Sequence, residues 1–209
     1  MNTSNKESEI ITYPSSRTGS IERVTRETAI VCKVNLDGAA QRKIESGIPF
    51  FDHILSSLEL YAEIELELTC NGDLAVDDHH TVEDCALAIG QALNAALGNR
   101  CGIERFGFAC IPMDETLARV VIDLSGRPAS VIDLQLTRET IGGIACENFT
   151  HFFSSFATAL RAAVHVDVLR GANDHHRIEA SFKALGRALR DAKRRTTSSD
   201  VPSLKGVLV

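Results

Sequence analysis

The sequence predicts an α+β protein in which one strand-rich unit, with helices packed on one face of its sheet, occurs twice. Three observations carry this reading. The segment Asp78-His79-His80-Thr81-Val82-Glu83 opens a long helical pattern, and Asp174-His175-His176-Arg177-Ile178-Glu179 opens another, 96 residues later. A lone histidine precedes each pair, His53 by 26 residues and His151 by 24, so order and distance are both repeated. In each half, strand-like segments come first and helical ones follow, the pattern of sheets with helices segregated to one side.

The elements follow in order. Residues 1–20 are polar, include Lys6, Glu7 and Glu9, and read as a flexible arm rather than a targeting segment. The first unit spans 21–100. In it Ala29–Leu36 is rich in β-branched residues and reads as a strand. Glu63–Cys70 alternates, with Ile64, Leu66, Leu68 and Cys70 on one face and Glu63, Glu65 and Glu67 on the other, as in a half-solvated strand. Asn71-Gly72-Asp73 marks a turn, then a short strand, then a helix with the stripe Val82, Ala86, Ile89, Leu93, Leu97 and Gly98 as its terminator.

The second unit spans 101–195. Strands are expected at Phe106–Met113, Leu117–Leu124 and Ser130–Leu136, then a helix rich in phenylalanine (Phe149, Phe152, Phe153, Phe156), a short strand and the helix after His176. Arg138–Cys146, with Gly142-Gly143, shows no pattern, and neither does the tail at 196–209.

A chain of 209 residues can bury roughly 70% of its unfolded surface, enough for a core without staples. Its net charge of −6 offers no basic stripe for nucleic acid, and no apolar run reaches membrane-spanning length. The six cysteines are scattered with no C-x-x-C pair, which is expected of reduced, mostly buried thiols in a cytoplasmic protein.

The histidine clusters carry the chemistry. Capping would account for Asp78, Asp174, Glu83 and Glu179 at helix starts, but imidazolium is disfavoured there, and capping leaves four histidines and their repetition unexplained. Metal ligation explains all of them. At about 100° per residue, His79 and His80 diverge and Glu83 can approach the direction of either, so each motif points two ways. With His53 and His151 there are eight donors: His53, His79, His80, Glu83, His151, His175, His176 and Glu179. They suit two ions with three imidazoles and one carboxylate each, leaving positions open for a substrate. Such a donor set fits Mn²⁺, Fe²⁺, Co²⁺ or Zn²⁺. His165, alone on its strand, is read as an ordinary surface or core residue. Asp114-Glu115, after a strand and Pro112, is read as a turn pair with no catalytic role.

The residues resemble those of the imidazoleglycerol-phosphate dehydratase family. The matching pieces are Arg23-Val-Thr-Arg-Glu27-Thr, Asn35-Leu-Asp-Gly, Ser46-Gly-Ile-Pro-Phe-Phe-Asp-His53, Asp77-Asp-His-His-Thr-Val-Glu-Asp84, Asp123-Leu-Ser-Gly-Arg127-Pro, His151-Phe-Phe, His175-His176-x-x-Glu179-Ala and Pro202-Ser-Leu-Lys-Gly-Val-Leu208. They run in order from about residue 20 to 208. Val82 and Thr150 depart from the pattern, at positions beside the ligands rather than on them.

The resemblance implies a dehydratase of histidine biosynthesis that binds two Mn²⁺ ions through the eight donors above. It also implies homo-oligomers of 24 subunits built from trimers, with metal sites shared between subunits. The implied substrate contacts are Glu27, Arg105, Arg127, Lys183, Ser203 and Lys205, with the cations holding the phosphate of a small-molecule substrate. Implied catalytic groups are Glu27 for proton handling and the ligands His80, Glu83, His176 and Glu179. A dinuclear phosphohydrolase would need metal-bridging, aspartate-rich motifs. A non-catalytic metal-binding protein would not need Arg127 between Gly126 and Pro128, or the tail Ser203-Leu204-Lys205.

Overall fold

The computed structural model describes residues 16–206 and 208. Its first half runs β1 (Thr18–Val24), β2 (Thr28–Asn35), β3 (Lys43–Glu45), α1 (Pro49–Ala62), β4 (Glu65–Gly72) and α2 (His79–Leu97). The second half runs β5 (Phe106–Met113), β6 (Thr116–Asp123), β7 (Ala129–Asp133), a hairpin of β8 (Thr140–Ile141) and β9 (Ile144–Ala145), α3 (Cys146–Leu160), β10 (Ala163–Arg170) and α4 (Asp174–Ala192). The sheet orders are β1-β2-β4-β3 and β5-β6-β10-β7, so each half has the same topology, with its third strand parallel to its last and the other neighbours antiparallel. The duplication is thus a duplication of fold.

Alternation sets which face of each sheet is buried. β2 turns Ile30, Cys32 and Val34 inward and Val31 and Lys33 outward, and β4 turns Leu66, Leu68 and Cys70 inward. The helices cover the inner faces and meet across the halves, α2 against α3 and α1 against α4. One continuous core results. At its centre the Phe152 ring meets Phe51 of α1, Phe153 and Phe156 of α3 and Phe182 of α4, with centroids 4.8 to 6.0 Å apart.

Two helical glycines make that crossing close. A Cβ at Gly90 of α2 would lie 2.8 Å from the Phe156 carbonyl oxygen, and one at Gly186 of α4 would lie 2.7 Å from that of Leu58. They stand 96 residues apart, the offset of the repeated histidine pairs. A glycine inside a helix costs about 1 kcal/mol against alanine, which close backbone approach here offsets. Gly186→Ala is therefore expected to destabilise the fold by about 1–3 kcal/mol, seen as a lower denaturant midpoint. An unchanged midpoint would mean that α1 and α4 separate without cost.

Several elements differ from expectation. The arm expected over 1–20 overruns the strand: Thr18, Gly19 and Ser20 pair with Asn35, Val34 and Lys33, and residues 1–15 lie outside those described. Gly19 permits this, because a Cβ there would fall 2.1 Å from the Ala92 carbonyl oxygen of α2. Asn71 and Gly72 finish β4 opposite Ala29 and Thr28 instead of forming a turn; the chain turns one step later, where the Val76 N–H donates to the Asp73 carbonyl, and no strand intervenes before α2. β7 stops at Asp133 rather than Leu136, since β10 pairs with it only through Asp167. The patternless stretch from Arg138 holds the β8–β9 hairpin, closed by Gly142 and Gly143, both with positive φ, as a two-residue hairpin turn requires.

All six cysteines are free thiols, four of them buried, with Cys101 half-buried and Cys110 exposed. Among the described residues no helix is long and apolar enough to cross a membrane.

Candidate metal centre

The helix starts bring six of the eight expected donors together. α1 begins at Pro49, which needs no N–H partner in the first turn, and Asp52 accepts from both the Ser46 amide and hydroxyl, fixing the turn that carries His53. His151 lies in the second turn of α3, while His79 and His175 sit at the starts of α2 and α4. His79, Glu83 and His151 form one group; His53, His175 and Glu179 form another. Within each, one ligand atom per residue lies within 4.8 Å of the others.

Each group draws two residues from one half and one histidine from the other. His79 Nε2 is 3.4 Å from Glu83, and the His79 and His151 rings meet edge to face at 4.7 Å. His175 and His53 place Nε2 3.0 and 3.3 Å from the same Glu179 oxygen. The i,i+4 spacing on a helix brings each glutamate to the first histidine of its pair rather than the second.

The second histidines turn away. The rings of His79 and His80 are inclined by 81°, those of His175 and His176 by 84°. His80 Nδ1 lies 3.0 Å from Asp73, and its Nε2 is 3.6 Å from Glu27 Oε1. His176 Nδ1 lies 2.8 Å from Glu115, and its Nε2 is 3.7 Å from Asp114. Glu27 sits in the β1–β2 turn, not within a strand, its N–H donating to Thr25 Oγ1.

Partners at Nδ1 also hold the converged rings. Asn148 Oδ1 lies 2.9 Å from His79 Nδ1 while the Asn148 amide donates to Asp78, and Ser155 Oγ lies 3.0 Å from His151 Nδ1. Asp78, at the N-cap of α2, makes no side-chain capping bond, and Asp174 is the first residue of α4. Asp78 accepts from Ala145 and Asn148, and Asp174 from Thr137 and Arg138, tying each helix start to the β7–α3 segment; Asn173 caps α4 instead.

Neighbouring charges and hydrogen bonds shift three groups around the clusters. Burial pushes Glu179 up, but Lys183 at 2.8 Å and His53 more than offset it, holding the carboxyl below its usual range and ionised. The Asp73 hydrogen bond raises the His80 pKa. Glu115 is held well below the usual carboxylate range by the Ala172 and Asn173 amides and by His176.

The expected substrate contacts fall in separate places. Lys183 lies beside Glu179 and Glu27 beside His80. Arg105 pairs with Asp123 and donates to the Pro202 carbonyl, and its own N–H donates to Ala192 at the far end of α4. Arg127 is exposed on a turn at Gly126 that Arg161, just past α3, holds by its carbonyl. That turn also meets the tail at Leu208. Ser203 is half-buried and Lys205 exposed. His151 to Leu160 is nine residues of helix, roughly 14 Å, so the Arg105, Arg127 and tail surface lies a helix length from both groups of its own chain.

The residue pattern of imidazoleglycerol-phosphate dehydratase matches residues 46–189, more than half of the chain. The chain belongs to the imidazoleglycerol-phosphate dehydratase family. Family dehydratases from Phytophthora nicotianae and Phaffia rhodozyma are 54% and 50% identical to it over 192 and 198 residues, 92% of this chain in both cases. The match spans 42% of the Phytophthora protein and 97% of the Phaffia protein. The crystal structure of the dehydratase from Staphylococcus aureus subsp. aureus N315 is similar with a TM-score of 0.77 and 34% identity, over 86% of this chain and 99% of that one. The dehydratase from Pyrococcus furiosus, in complex with (S)-C348, is similar with a TM-score of 0.78 and 34% identity, over 90% of this chain and all of that one. Membership in this dehydratase family makes the chain an enzyme of histidine biosynthesis, and its His/Glu groups are consistent with metal binding in the family.

Proposed function

We propose that the chain dehydrates D-erythro-imidazoleglycerol phosphate to imidazole-acetol phosphate with two Mn²⁺ ions held by His53, His79, His80, Glu83, His151, His175, His176 and Glu179. The observation that carries this is the convergence of two His₂Glu groups, each short of a full coordination shell. Nitrogen and carboxylate donors without thiolate fit Mn²⁺. When bound, the ions supply Lewis-acid stabilisation of charge on the substrate's imidazole ring.

The protein residues do the rest. The reaction expels hydroxide from the carbon beside the ring and takes a proton from the next carbon; the resulting enol becomes the ketone. Glu27, whose Oε1 lies 3.6 Å from His80 Nε2, moves the proton, being within reach of what that nitrogen contacts. Arg105, Arg127, Lys183, Ser203 and Lys205 hold the phosphate, Arg by planar paired donors and Lys by point charge.

Copies of the chain assemble as trimers joined into a 24-mer, a number that rests on the family resemblance; the geometry supports only the sharing of sites between copies. His80 and His176 lie outside the groups of their own chain, and the Arg105–Arg127–tail surface is farther from those groups than a three-carbon substrate arm reaches. Neighbouring copies bring these parts together. The test is dehydration of imidazoleglycerol phosphate by chelator-stripped protein before and after Mn²⁺ is added. Activity is expected only after addition. Two ions rebound per chain with no turnover would defeat the assignment.

A further inference from the structure

The two histidines that turn away are held at Nδ1 by two different devices. His80 is held by Asp73, seven residues upstream in the loop leading into α2, with both carboxylate oxygens 3.0 and 3.2 Å from Nδ1. His176 is held by Glu115, from the β5–β6 turn 61 residues away, at 2.8 Å. Repeated helices would have permitted repeated solutions. The halves instead diverged here, while the ligands themselves did not.

Glu115 is itself fully engaged. Its Oε1 accepts from the Ala172 and Asn173 amides at 3.0 and 2.9 Å and from the Thr116 hydroxyl at 3.1 Å, so only Oε2 is left for the imidazole. The turn is tight: Met113 pairs with Thr116 across Asp114 and Glu115, and Asp114 takes a left-handed φ of 48°. An ionised carboxylate can only accept, so a neutral His176 ring carries its proton on Nδ1 and keeps the Nε2 lone pair for a ligand. Asp73 imposes the same tautomer on His80.

We infer that Glu115 and Asp73 are positioning residues that fix the tautomer and orientation of His176 and His80 for ligation through Nε2. The inference rests on the manganese reading above. It adds to the reading of Asp114-Glu115 as a turn pair without a catalytic role: the glutamate ties the turn to the β10–α4 loop and to a ligand. Hydrogen-bonding a ligating imidazole through its second nitrogen raises its basicity and removes the entropy of aligning it.

Glu115→Gln is the discriminating variant. The two backbone amides and the Thr116 hydroxyl keep claiming the oxygen of the side chain, which leaves its NH₂ facing His176. That group donates to Nδ1 and drives the ring proton to Nε2, where it blocks ligation. Manganese binding is measured by equilibrium titration of the metal-free proteins, with folding of the metal-free variant followed by thermal melting. Wild-type protein is expected to bind two ions per chain, and the variant to bind one of them about 10- to 100-fold more weakly. Asp73→Ala, which disturbs a separate loop, is expected to weaken one ion in the same range and serves as the second arm if Glu115→Gln does not fold. Two ions bound at wild-type affinity in a folded variant would overturn the inference. A wild-type protein that binds no manganese would overturn the manganese reading instead.

Discussion

Replacing Glu27 by glutamine is expected to lower kcat by about 10²- to 10⁴-fold while two manganese ions per chain remain bound. The side chain is 52% exposed on the β1–β2 turn, and it contributes its backbone N–H, not its carboxylate, to the turn's Thr25 hydrogen bond. Glutamine therefore fits without repacking, and the change isolates the capacity to take and return a proton. Metal content and steady-state kinetics measured on the same preparation separate the outcomes. Near-normal kcat with full metal would remove Glu27 from proton transfer. Loss of metal together with kcat would place it in the coordination of His80 instead.

Phe152→Ala is expected to cost about 3–5 kcal/mol of stability. Its ring is fully buried and touches aromatic rings from α1, α3 and α4, in edge-on contact with Phe51 and Phe153 and nearly parallel to Phe156. Phe153 and Phe182 are already packed against each other, so neither is free to slide in and refill the space. Against a total stability of about 5–15 kcal/mol, this is a large share. The measurement is a denaturant midpoint on metal-free protein, since bound ions would mask part of the loss. A cost below about 1 kcal/mol would show that the cluster collapses around the gap.

Much of this molecule is legible in its sequence, for identifiable reasons. The helices announce themselves by periodicity and the repeat by its spacing, and the divergence of adjacent histidines follows from helical geometry and is seen in their partners, Glu83 and His151 for His79 against Asp73 and Glu27 for His80. The sequence leaves Glu83 between His79 and His80, and in the structure the i,i+4 spacing along α2 sets it beside His79. What periodicity does not carry is pairing across the halves. Nothing local links His53 to Glu179 or His79 to His151, because both contacts are made by packing α1 on α4 and α2 on α3. Asn148 and Glu115 are missed for the same reason: they act on histidines 69 and 61 residues away. The β8–β9 hairpin had a signal, Gly142-Gly143 between Ile141 and Ile144, but its strands are too short for alternation to show.

The crossing of ligands between halves has a consequence for how such a chain arises. Each half alone holds a histidine pair with its glutamate and one lone histidine, yet its own lone histidine serves the other half's group. Two free copies of one half, packed α1 against α4 and α2 against α3, would build two equivalent groups at once. A single free copy would build neither. The present chain therefore has the architecture of a symmetric homodimer whose two subunits have been joined end to end. In one joined chain the halves are free to differ, and they do so at Asp73 and Glu115, which hold His80 and His176.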